Sequence, residues 1–153
     1  MKQGDAQNKA TRVLYDPEAQ KGTLKSIGGS QSDDWNDILA NQTVQALCLK
    51  RSDPSTRYEQ YSATVAALAG VGPKDEIEGM MAAQLIAAHS AAMECYRRGM
   101  LSEQSFEGSR ENLAQASKAS RTFTTLLEAL NRHRGKGQQH VTVEHGRGRD
   151  AHY

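Results

Sequence analysis

Two consecutive runs decide the fold: GPKDEIEGMMAAQLIAAHSAAMECYRRGM at 72–100 and LSEQSFEGSRENLAQASKASRTFTTLLEALNRHRG at 101–135. The first opens at Pro73 with Asp75, Glu76 and Glu78 in its first turns and closes on Arg97-Arg98-Gly99. Negative charge at the start and positive charge at the end suit a helix macrodipole. From Met80 through Leu85 and Ile86 to Ala88 almost no polar face remains, so this helix is expected to be buried all round, in its own fold or in an oligomer. The second run reads as a helix from about Ser102 to Arg134, roughly 48 Å long at 1.5 Å per residue. Phe106, Leu113, Ser120 and Leu127 repeat every seventh residue, and Ser109, Ala116, Phe123 and Leu130 form a second row, with Leu126 widening the stripe. Leu127 is expected to be buried in that seam. The short Gly99–Leu101 turn makes the two helices antiparallel neighbours, a hairpin core over 73–134.

Outward from this hairpin the signals weaken. A helix from Ser32 or Asp33 to about Leu49 carries Trp35, Ile38, Leu39, Gln42, Ala46 and Leu49 on one face. A second opens at Asp53-Pro54, shows Tyr58, Tyr61, Val65 and Leu68, and stops at Gly70-Val71-Gly72. Residues 1–31 read as a flexible leader. Its Gly28-Gly29 lacks the spacing and the Lys-Ser/Thr of a phosphate loop. Downstream, 135–153 reads as a hinge, a short strand and a disordered tail; Val141, Val143 and His145 alternate with His140, Thr142 and Glu144. The expectation is an all-α protein: a helical domain at 32–134, in which two short amphipathic helices pack on a long antiparallel hairpin, followed by a short C-terminal β-strand tail.

Composition narrows the function classes. With 37% hydrophobic residues, a mean hydropathy of −0.70 and a net charge of +1, no global field marks a nucleic-acid or membrane binder. Positive charge gathers at one end: Arg132, Arg134, Lys136, Arg147 and Arg149 face only Glu144 and Asp150. Cys48 and Cys95 lie in predicted helices and read as small core residues in a reducing compartment. The start has no secretory apolar run, and Met80–Ala92 is too short and too interrupted to span a bilayer. A soluble, cytoplasmic protein without membrane contact is expected.

The chemistry-bearing residues form no catalytic constellation, so no enzyme and no cofactor are expected. There is no Ser-His-Asp arrangement or nucleophile elbow, and Glu103, Glu107 and Glu111 form an exposed ladder. His89 and Cys95 lie six residues apart, about 600° of helix, and so face different ways. Met80, Met81, Met93 and Met100 read as core filler. His133, His140, His145 and His152 cluster near the end, but only His140 and Glu144 share a strand face, so no metal site is expected. Arg132, Arg134 and Lys136 compensate a helix dipole; as candidate phosphate contacts they would bind nucleic acid weakly and salt-sensitively, without a recognition motif.

The runs WNDILANQTVQAL at 35–47, GPKDEIEGMMAAQLIAAHSAAMECYRRGM at 72–100 and LLEALNRHRGKGQQHVTVEH at 126–145 carry a resemblance. From Gly22 onward the chain resembles an uncharacterised alphaproteobacterial protein family with no established activity, cofactor or functional residues. In that family the alternating strand continues past the position of His145, where this chain departs into GRGRDAHY. Together these readings point to a non-enzymatic interaction or assembly protein that self-associates. Met80, Leu85, Ile86, Leu113, Phe123, Leu127 and Leu130 are the expected core and assembly residues, and the C-terminal strand is available to a protein partner. The alternative is a phage-like DNA-packaging accessory: a helical hairpin followed by a β tail looks like the assembly region of small terminase subunits, a likeness of architecture alone.

Overall fold

The computed structural model describes residues 24–47 and 53–135. They form five helices: α1 (Lys25–Gly28), α2 (Asp33–Gln45), α3 (Pro54–Val71), α4 (Glu76–Gly99) and α5 (Phe106–His133). No strand occurs among the described residues; the expected hinge, strand and tail from Lys136 onward lie outside them, as do Cys48 and Leu49.

Each long helix starts where a side chain can satisfy its orphan amides. Ser32 accepts from Trp35 N–H, Asp53 from Thr56, Asp75 from Glu78 and Ser105 from Gly108. Two starts therefore lie downstream of the expected ones, at Glu76 rather than Pro73 and at Phe106 rather than Ser102, because the nearest capping side chain sits there. Gly72, at φ 65°, closes α3 in the left-handed region that favours glycine.

The first four helices share a small core of Ile27, Ala40, Leu68 and Ala82, with Leu24, Val65, Val71, Ala83 and Ile86 packed against it. This corrects the expected leader, since residues 27–30 are all buried. The contact is possible because Gly79 on α4 lets the Gly28 carbonyl approach: a Cβ at Gly79 would collide with Gly28 O and lie 3.0 Å from the Trp35 ring. Gly29, at φ 84°, lies just as tightly against the backbone of Asp75. The face of α2 is also shifted. Asn36, Leu39, Ala40 and Thr43 point inward, whereas Ile38 is 57% exposed. The cause is polar: buried Asn36 donates to Ser30 O at 2.9 Å and accepts from Ser30 N–H at 3.1 Å, which sets the rotation of the helix.

The hairpin leaves this base. Among the described helices α5 packs on α4 and on nothing else. Its row Ser109, Ala116, Phe123 and Leu130 faces α4 as expected, but the companion row is Asn112, Ala119 and Leu126. Leu113 and Leu127 lie one residue off it; Leu127 is 40% exposed and Leu130 only 2%. That is a correction of the seam's phase. Near the tip Leu113 still reaches over Gly99, and Ser109 Oγ donates to Gly99 O, whereas toward the base Leu127 is left on the flank. Helix α4 is likewise not buried all round. Ala82, Leu85 and Ala92 are inside and Ile86 is half-buried, but Met80 and Met93 are exposed, because the base and α5 cover only part of its circumference.

Three substitutions test this packing. Leu130→Ala should cost about 2–5 kcal/mol in urea unfolding, and Leu127→Ala clearly less under dilute conditions. Equal losses would contradict the seam's phase. Gly79→Ala should destabilise by about 1–3 kcal/mol, since the α1–α4 approach has no room for a methyl group.

Candidate functional site

Two features stand out: a polar clamp where the helices converge, and an apolar face along the hairpin. The clamp begins with α4's N-terminus. Asp75 Oδ1 caps it by accepting from Glu78 N–H at 2.8 Å, and Glu78 Oε2 accepts from Lys74 N–H at 3.0 Å. The chain then returns along α5. Arg134 donates to Glu78 Oε2 at 2.8 Å and to the carbonyls of Val71 and Gly72 at 2.9 and 3.2 Å. His133 Nε2 stands 2.9 Å from Asp75 Oδ2. One guanidinium thus satisfies the last carbonyls of α3 and the carboxylate of α4 together.

The electrostatics follow the hydrogen bonds. The Arg134 bond holds Glu78 below the usual glutamate range against the opposing effect of burial. Asp75 is lowered first by the Glu78 amide and then by His133. At the other end of α4, Glu94 bonds both Arg97 and Arg98 and is held down to about 2.

The sequence-derived contacts fare unevenly. Arg134 is turned inward and is half-buried, so it is no open phosphate contact; its role as a three-way tie was not legible, because its partners lie 56 to 63 residues away. Arg132 is exposed, and Lys136 lies outside the described residues. Asp75, Glu78 and His133 bring three ligand-type atoms within 4.8 Å of one another, a grouping that the histidine spacing did not suggest. Arg134 and the helix amides already engage the Glu78 and Asp75 oxygens, and a guanidinium occupies the position where a cation's charge would be favoured.

The second feature uses the residues displaced from the seam. Ile86, His89, Met93, Tyr96 and Met100 follow one another along α4 at intervals of three and four. Along α5 the parallel row is Phe106, Leu113, Ser120 and Leu127. Both rows border the same side: the Tyr96 and Ser120 hydroxyls are 3.3 Å apart, and the His89 and Phe123 ring centroids are 6.3 Å apart. Met93 is 54% exposed and Phe106 81%. From Leu113 to Asn131 the flanking positions Ser117, Thr124 and Asn131 are small or uncharged, with Arg121 and Glu128 at the rim beyond them and Lys118 farther round the helix. Toward the base the face deepens into an open groove of about 420 Å³ between α3 and the hairpin, with Val71, Ile86, Leu127 and Arg134 in its walls. No helix among the described residues is long and apolar enough to cross a membrane. No protein-family model, curated protein or solved structure matches the chain.

The clamp makes stability depend on acid. A depressed carboxylate pKa stabilises the fold fully above the unfolded value, about 4.3 for glutamate, and that contribution is lost as pH falls through the lower folded value. Urea midpoints of the wild type should therefore drop below about pH 4, and Glu78→Gln should flatten part of the drop. Arg134→Met, which strands the Glu78 carboxylate, should cost roughly 3 kcal/mol at neutral pH, with partial recovery in the Glu78→Gln/Arg134→Met double variant.

Proposed function

We propose that this protein is a non-catalytic assembly component that self-associates through the outer face of its hairpin. The observation that carries this reading is the charge-poor row of exposed Met93, Tyr96, Met100, Leu113 and Leu127, on a helix pair whose other surfaces carry ordinary mixed charge. A contiguous apolar patch rimmed by polar residues is the mark of an interaction surface.

Its size suits a dimer. Phe106 to Leu127 spans roughly 32 Å of helix, and two adjacent helices present about 20 Å of width, or on the order of 600 Å² per copy. Pairing two such faces removes about 1,200 Å², at the lower end of the range for stable interfaces. A cytoplasmic setting fits this reading. Contact with nucleic acid has less support, because Arg134 is committed to the clamp and Arg132 stands without it.

Sedimentation equilibrium at tens of micromolar tests the proposal. The wild type should weigh more than one chain, and Met93→Glu should shift it toward the monomer with helix content unchanged by circular dichroism. A monomeric wild type would overturn the reading.

A further inference from the structure

The face has an internal symmetry that specifies how two copies meet. Along α4 the row Ile86, His89, Met93, Tyr96 and Met100 is disposed almost evenly about Met93, at −7, −4, +3 and +7. Along α5, Leu113 and Leu127 lie seven residues on either side of Ser120. The two centres stand at nearly the same height on the hairpin, because antiparallel partners such as His89 and Phe123 have residue numbers that sum to 212, which places position 119 opposite Met93. A two-fold axis lying in the face and crossing the helices at this height therefore maps both rows onto themselves.

We infer that the partner on this face is a second copy of the chain, packed antiparallel about a two-fold axis at Met93 and Ser120. The inference rests on the self-association proposed above and adds its register. In this arrangement Met93 meets its own copy, Met100 meets Ile86 and Tyr96 meets His89. On the other helix Leu113 meets Leu127, each apolar side chain covering one from the partner, as an isologous interface requires. Ser117, Ser120 and Thr124 occupy the centre of α5, where small side chains let two helices approach closely. At each end the arrangement carries Phe106 toward the partner's groove, whose wall includes Val71 and Arg134. The exposed Phe106 ring is thereby brought to an apolar recess, beside a guanidinium that favours a ring face. A parallel two-fold, with both tips together, would leave the groove empty at one end and crowd Met100 and Phe106 at the other.

Disulfide trapping distinguishes the arrangements. In the full chain carrying Cys48→Ser and Cys95→Ser, Met93→Cys alone should cross-link most of the protein under mild oxidation. Leu113→Cys and Leu127→Cys should cross-link efficiently when mixed and at least tenfold less when oxidised separately. Those positions are exposed or half-exposed, so circular dichroism should show native helix content in every variant. A sedimenting dimer that cross-links through Met100→Cys alone, or fails to cross-link through Met93→Cys, overturns the register while leaving self-association standing. A monomer at every concentration tested overturns both.

Discussion

The arrangement depends on one guanidinium. Among the described helices α5 packs only on α4, so the far end of the hairpin is fixed against the base by polar contacts of its last residues, beginning with His133 on Asp75. Arg134 completes the attachment by bonding the two carbonyls that end α3 and the carboxylate that opens α4. With its charge matched by Glu78 and one terminal nitrogen, Nη2, shared between that carboxylate and two backbone carbonyls, the side chain ties three chain segments at once, while its Nε is buried without a hydrogen-bond partner among the described residues. It also forms one wall of the groove, so the same contact that completes the fold shapes the surface.

The hairpin divides its apolar residues between two tasks. Ala116, Ala119, Phe123, Leu126 and Leu130 close it against α4, while Leu113 and Leu127, one position round, are left partly uncovered. Near the tip, where the facing helix presents Gly99, the partly exposed Leu113 still reaches over it.

The four long helices were legible from caps and periodicity, and so was the antiparallel hairpin, because those signals are local. The phase of the seam was not. A row of Phe106, Leu113, Ser120 and Leu127 competes with Asn112, Ala119 and Leu126, and apolar character alone favours the row that ended outside. The rotation of α2 escaped for a related reason: it is set by an amide, Asn36, that reads as surface until Ser30 is brought beside it. Gly28 and Gly79 carry no signal singly; their meaning is a contact between two absent side chains 51 positions apart in the chain. The clamp is a contact of the same long-range kind. A lone arginine at a helix end reads as dipole compensation, and only the return of a 28-residue helix places it over Glu78.

The double use of α4 has a kinetic side. The hairpin can zip from its tip, where contacts such as Gly99 with Ser109 close short loops. The base cannot finish without α4, because Ala82 is one of the four residues of its buried apolar cluster. In chain order α1, α2 and α3 all precede α4, and α5, whose end closes the circuit at Arg134, follows all of them. The Arg134–Val71 contact closes a loop of 63 residues, so its loop-closure entropy is far larger than that of the tip contacts.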